Sequence, residues 1–247
     1  MRKKDDDSKA GYVNCLLPYM ALFLFSAVIS HASAGDTGVR EARMPAHAKS
    51  MKEGSMTEKD RLNEQEGRYL LSVARETIEN RLLNTDSDES IAPESSDKFS
   101  ERRGTFVTLT LNNNLRGCIG HIIPQESLLE GIKVNAINAA FKDPRFKPMS
   151  KDEWDSVKIE VSILTEPKPL EYSDSEDLLR RLRPGIDGVI IRKGRYQSTF
   201  LPQVWEQLPD KKEFLIHLCA KAGLDGYAWK SEKLEVFTYQ VQAFEEH

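Results

Sequence analysis

The chain has 247 residues, with 35 Lys and Arg against 39 Asp and Glu, a formal net charge of −4, 30% charged residues and 39% hydrophobic ones. This is the composition of an ordinary globular protein and excludes a collagen-like or low-complexity chain. It offers no global basic field, which argues against wholesale non-specific nucleic-acid binding, and three cysteines are too few for a disulfide scaffold or an all-cysteine structural zinc site.

Charge and apolarity are unevenly spread. Arg2, Lys3, Lys4 and Lys9 set against Asp5, Asp6 and Asp7 make a basic start, Leu16 to Ser30 is uncharged, and Ala32-Ser33-Ala34 precedes Gly35. These are the three parts of a secretory signal peptide, from which the aspartates and Pro18 depart. Counted from Gly11, the uncharged run reaches 20 residues, enough for an uncleaved anchor touching the membrane through residues 11–30. The preferred reading is export or anchoring through residues 1–34. The alternative is a cytoplasmic protein whose translation starts at Met51 or Met56. Residues 35–56 show no periodic apolar face and read as a flexible linker, leaving residues 57–247 as the working domain, with a net charge of about −6.

Leu62, Tyr69, Leu70, Val73, Ile78 and Leu82 recur at helical spacing, with Thr57 as N-cap and Glu58 and Asp60 in the first turn. The Ser- and Asp-rich stretch from Asn84 to Lys98 is a polar surface loop. A strand follows Gly104, with Val107, Leu109 and Leu111 on one face. Asn112, Asn113 and Asn114 turn it, and it returns from Leu115 to Ile123 until Pro124. A helix runs from about Gln125 to Phe141. Asp143 to Pro148 is a loop bracketed by prolines, and Ser150 with Glu153 forms a capping box for a short helix carrying Trp154. Lys158 to Leu164 alternates as a strand, and Pro167 and Pro169 stop it. Ser173 and Glu176 form another capping box. Val189 to Ile191 and Tyr196 to Leu201 form a hairpin about Gly194. Asp210 and Glu213 cap a helix that ends at Gly223. Leu234 to Phe244 closes the chain as one strand. The mixed order of hairpins and helices predicts an α+β fold, mainly antiparallel sheet with packed helices, with one core or two subdomains sharing a cleft.

The densest chemical anomaly is Leu115-Arg116-Gly117-Cys118-Ile119-Gly120-His121. Glycine inside a strand admits a bulge or a close approach. Arg116 could lower the pKa of Cys118 and make it a nucleophile, with His121 as a proton shuttle. Alternation places Cys118 on the face of Arg116 and Gly120, and His121 on the other. The plainer reading is a small buried hydrophobe in a strand. Asp143 and Arg145 are either a charged pair at a cleft edge or an incidental ion pair in a connection. His217 and Cys219 lie two apart on a helix, and no metal-ligand spacing is present. Gly185-Ile186-Asp187-Gly188 precedes a strand and does not open a helix, so it is discounted as a phosphate turn.

The hexapeptide LRGCIG at Leu115 to Gly120 resembles the hallmark of the AMMECR-type domain, the family called AmmeMemoRadiSam system protein A in microbes. The stretches Leu70 to Ile78, Asp143-Pro144-Arg145-Phe146, Ile159 to Leu164, Gly188-Val189-Ile190 and Thr199 to Trp205 extend the likeness from about Met56 to about Phe244. The resemblance implies an α+β fold with a larger and a smaller subdomain around a cleft. It also implies a functional role for the hexapeptide and action alongside a Memo-type protein and a radical S-adenosylmethionine (radical SAM) protein. It assigns no settled reaction, substrate or cofactor. The hydrophobic leader departs from the family pattern.

Three functional expectations follow. The first is an enzyme or enzyme component using Cys118, with Arg116 and His121 assisting, Gly117 and Gly120 giving backbone access, and Asp143 and Arg145 orienting a small-molecule or protein substrate at the cleft rim. The second is a non-catalytic scaffold of the same system, binding through Phe146 with Trp205 or Tyr227 with Trp229. The third and weakest is nucleic-acid binding, for which Arg180, Arg181 and Arg183 are the local cluster.

Overall fold

The computed structural model describes residues 13–14, 56, 61–85 and 96–246. The segment read as a signal peptide or anchor apart from Val13 and Asn14, almost all of the stretch read as a linker, the expected cap at Thr57 and the middle of the Ser- and Asp-rich stretch lie outside them.

The first helix, α1 (Glu64–Leu83), starts later than the apolar spacing suggests, because Asn63 and Glu66 close a capping box. The Asn63 side chain accepts the Glu66 N–H at 2.8 Å and the Glu66 carboxylate accepts the Asn63 N–H at 2.7 Å. Asn84 ends the helix in the left-handed conformation. β2 (Thr105–Leu111) and β3 (Asn114–His121) form the predicted hairpin, with Asn112 and Asn113 at positive φ. α2 (Leu128–Phe141) is capped by Ser127, and α3 (Lys151–Trp154) by the Ser150–Glu153 box. β4 (Val157–Leu164) pairs with β2. Among the described residues, the first sheet has the order β1 (Val13–Asn14), β3, β2, β4, β9 (Val241–Glu245) and is antiparallel throughout.

The second sheet has the order β5 (Lys168–Pro169), β8 (Glu235–Tyr239), β6 (Gly188–Lys193), β7 (Tyr196–Phe200) and is also antiparallel. Its helices are α4 (Ser175–Arg181), α5 (Lys211–Lys221) and α6 (Ala228–Ser231). α4 is capped by Asp174, whose side chain accepts the Asp177 N–H, so the cap lies one residue beyond Ser173.

The C-terminal segment is two strands and not one. β8 belongs to the second sheet and β9 to the first, and the chain crosses at Gln240. The outgoing crossing at Thr165 is tied to it: Thr165 N–H donates to the Gln240 carbonyl and Gln240 N–H to Thr165 Oγ1, both at 2.9 Å. Two lobes therefore exchange their chain through one hydrogen-bonded crossover.

Three apolar clusters hold this arrangement. Leu70, Ile78, Val107, Leu109, Ile119 and Ile132 belong to the core between α1, α2 and one face of the first sheet. Leu178, Val189, Ile191, Phe214, Leu218 and Trp229 fill the core of the second lobe. Phe106, Cys118, Leu164, Ile190, Leu201 and Tyr239 form a seam between the two sheets. Each sheet is thus apolar on both faces in its centre, so neither lobe buries its strands alone. Among the described residues no helix is long and apolar enough to cross a membrane.

Candidate functional site

The hexapeptide lies on β3, and each of its residues has a packing or hydrogen-bonding role. The β2–β3 ladder shifts register between Leu109, opposite Gly117, and Thr110, opposite Leu115, so Arg116 is the extra residue of a bulge. The bulge commits the Arg116 guanidinium to α3. Nε donates to Glu153 Oε1 at 2.7 Å, and Nη2 to Glu153 Oε2 at 3.0 Å and to the Lys147 carbonyl at 2.9 Å. The Arg116 hydrogen bond pulls the Glu153 carboxyl down to about 2, and the Ser150 N–H and hydroxyl act in the same direction against partial burial. Arg116 therefore pairs with a carboxylate, and the expected Arg116–thiolate contact is replaced. Its Nη1 is buried without a hydrogen-bond partner.

Gly117 faces α2. A Cβ there would lie 2.2 Å from the Ala139 carbonyl oxygen, so only glycine lets the helix approach this closely. A Cβ at Gly120 would meet the Thr105 carbonyl oxygen at 2.2 Å and the Phe106 ring at 2.3 Å. The close contacts of both glycines are within the protein itself. Ile119 packs into the first core and Leu115 against the seam.

Cys118 is fully buried, at 0% exposure. Its side chain lies in the seam, with Sγ 3.2 Å from Thr108 Oγ1. Its backbone faces the loop after α2. The N–H donates to Asp143 Oδ2 at 2.9 Å and the carbonyl accepts from Arg145 Nη2 at 3.1 Å. Arg145 also grips Asp143 at 2.6 and 2.9 Å, and the Phe146 ring lies beside both guanidinium groups, 5.4 Å from that of Arg145 and 5.8 Å from that of Arg116. Burial would raise the Asp143 pKa, but the hydrogen bonds from Arg145 and Cys118 outweigh it and hold the carboxyl below its ordinary range. Asp143 and Arg145 thus form an ion pair that holds the Cys118 backbone at the edge of β3.

His121 is buried on the opposite face from Cys118, as alternation predicts, directly across from Thr105. Burial depresses its pKa, opposed by Glu126. The two side chains leave β3 on opposite faces. Sequence reasoning passed over Thr108 and Glu160, which continue the row from Cys118 across the sheet. Burial raises the Glu160 pKa, a Ser162 hydrogen bond opposes this, and Glu245 adds to it. The alternation of β2 and β4 carried the signal.

The expected aromatic patches are not surfaces. Trp205 is stacked on Phe214 at 3.6 Å and donates from Nε1 to the Asp187 carbonyl at 2.7 Å, and Trp229 is buried, which leaves Tyr227 exposed alone. Arg180 and Arg181 share Asp177, and Arg183 pairs with Asp187, so each arginine of that cluster already has a carboxylate partner. Cys219 is buried in the second core and burial raises its pKa, while His217 on the same helix is exposed. Among the described residues no three His, Cys, Asp or Glu side chains are grouped to hold a metal ion. Two adjoining cavities of about 470 and 490 Å³ lie where the lobes meet, sharing Arg102, Arg103 and Glu166, and Cys118 lines neither.

The profile of the AMMECR1 family matches residues 71–244. A protein of Methanothermobacter thermautotrophicus is 39% identical over 186 residues, covering 75% of this chain and 96% of that one. A protein of Nanoarchaeum equitans is 41% identical over 179 residues, covering 72% and 98%. The crystal structure of an uncharacterised protein from Pyrococcus horikoshii superposes with a TM-score of 0.66 at 36% identity, covering 75% of this chain and 94% of that one.

Proposed function

The chain belongs to the AMMECR1 family, and on that premise we propose that it is a non-catalytic binding module of the AmmeMemoRadiSam system, in which the hallmark cysteine builds the fold. One observation carries this reading: Cys118 is wholly buried in the seam between the lobes, with its backbone N–H and carbonyl held by Asp143 and Arg145. A reactive cysteine needs an accessible thiolate beside a positive charge, and Arg116 is spent on Glu153. The module acts with a Memo-type protein and a radical SAM protein, and export or anchoring through residues 1–34 belongs to the same reading. Val13 and Asn14, inside that segment, pair with Gly120 and Ile119 of β3, so cleavage after Ala34 would remove β1.

The test is thiol alkylation followed by mass spectrometry at graded pH, combined with co-purification. The expected result is slow labelling of native Cys118 that becomes fast only on denaturation, and capture of the Memo-type or radical SAM protein by both the native chain and Cys118→Ser. Labelling of native Cys118 faster than in the denatured chain, with loss of cellular function in Cys118→Ser, would overturn the reading in favour of a cysteine-dependent enzyme. The mass of the mature protein decides the leader.

A further inference from the structure

The two cavities between the lobes differ in lining but share a wall. The first is polar, with Arg102, Arg103, Lys168, Arg183, Asp187 and Gln240 among its residues. The second is largely apolar, with Ile123, Pro124, Pro167, Ile190 and Phe237 beside Arg192. Their position follows from the topology. The crossover at Thr165 and Gln240 lines the polar half, and Ile190 and Phe237, on the seam-facing side of the second sheet, line the apolar half.

The charge of this cleft runs against that of the chain. Arg102, Arg103, Lys168, Arg183 and Arg192 line it against three carboxylates, Glu101, Glu166 and Asp187, in a protein whose net charge is −4. Three of the cations are fixed by carboxylates. Arg103 pairs with Glu101 and Arg183 with the buried Asp187, each at 2.6 Å, and Arg192 pairs with Glu235 while lying 5.1 Å over the Phe237 ring. Arg102 and Lys168 form no ion pair among the described residues. Ile123 sits at the apolar mouth and is 64% exposed, the most exposed large hydrophobic side chain among the described residues. Ligand pockets combine a concave apolar wall with a few placed polar groups, and they favour interfaces between domains.

We propose that this inter-lobe cleft binds a small organic anion, its carboxylate or phosphate group taken by Arg102 and Lys168 and its flat apolar body lying against Phe237, Ile190 and Ile123. Arginine and lysine supply the charge-assisted donors that such groups require. The paired Arg103 and Arg183 hold the polar wall in place, and Arg192 stiffens the Phe237 wall from one side. The cleft is separate from Cys118, so the inference stands or falls independently of the role of the thiol.

The experiment is calorimetric titration of the full chain with 1-naphthyl phosphate, 1-naphthoate, 1-naphthol and inorganic phosphate, each alone. The expected result is saturable binding of a naphthyl anion, with naphthol and inorganic phosphate at least about tenfold weaker, or about 1.4 kcal/mol. The better of the two naphthyl anions distinguishes phosphate from carboxylate recognition. The Arg102→Ala, Lys168→Ala double variant should weaken the naphthyl anion at least about tenfold and keep its urea midpoint, since both side chains are exposed. Phe237→Ala should weaken the naphthyl anions and leave inorganic phosphate unchanged. No saturable binding at millimolar probe, equal binding of naphthol and the naphthyl anions, or undiminished binding by the folded double variant would each overturn the proposal.

Discussion

The Asp143 carboxylate accepts the backbone N–H of Cys118 at 2.9 Å, and Arg145, gripping the same carboxylate, donates to the Cys118 carbonyl. Together the two side chains supply the acceptor and donor that a neighbouring strand would offer, and they end the open edge of β3 at that point. The loop reaches Cys118 because Gly117 lets α2 lie almost on the strand. The two stretches by which the sequence resembles its family, the hexapeptide and Asp143 to Phe146, are therefore one structural unit.

Removing the acceptor tests that unit. Asp143→Ala leaves a buried N–H unsatisfied and Arg145 without its carboxylate, at a cost of about 3 kcal/mol. Asp143→Asn keeps one acceptor and loses less. Urea denaturation of the two variants should rank them in that order, and a midpoint unchanged in Asp143→Ala would mean that the loop is not a brace.

The glycine and the cysteine of the hexapeptide should behave oppositely to a catalytic motif. Gly117→Ala drives a methyl group into the Ala139 carbonyl and costs about 2–3 kcal/mol through overpacking. Cys118→Ser keeps a group that can hydrogen-bond Thr108 and costs about 1 kcal/mol. Melting temperatures of the two variants check this, and a larger loss in Cys118→Ser than in Gly117→Ala would contradict it.

Local chemistry was legible in the residues and tertiary registration was not. The Asn112-Asn113 turn and the Ser150–Glu153 box involve neighbours in sequence, and both form as read. Cys118 and His121 face opposite ways because strand alternation is local too. The bulge at Arg116 depends on how β2 meets β3, and no property of Arg116 announces it. The break at Gln240 is invisible because the alternation from Leu234 to Phe244 continues across it; only Thr165, 75 residues away, marks the crossing. The start at Asn63 had a signal, Glu66 three residues on, which the acidic residues after Thr57 obscured.

The Arg116–Glu153 pair makes stability sensitive to acid. The Glu153 carboxyl sits at about 2 in the folded protein against 4.5 ordinarily. Its contribution is therefore complete above pH 4.5 and is lost as pH falls from there toward 2. Glu153→Gln should be less stable than the native chain at pH 7, by about 1–3 kcal/mol for a charged hydrogen-bonded pair. The difference should close toward pH 2, as followed by urea midpoints across that range. A constant difference at all pH values would assign the loss to shape and not to charge.

Glu160 should act in the opposite sense. Burial raises its pKa and Glu245 adds to that, against the hydrogen bond from Ser162. The folded protein then holds this proton to higher pH than the unfolded chain does. Stability is unaffected by Glu160 below pH 4.5 and falls as pH rises from 4.5 through the folded value. Replacing the carboxyl with an amide removes the charge and keeps the shape. Glu160→Gln should therefore match the native melting temperature near pH 4 and exceed it at pH 8. A lower melting temperature at pH 8 would show that the ionised carboxylate has a stabilising partner on the seam-facing side of the sheet, and the row from Cys118 through Thr108 to Glu160 would then be the place to look for it.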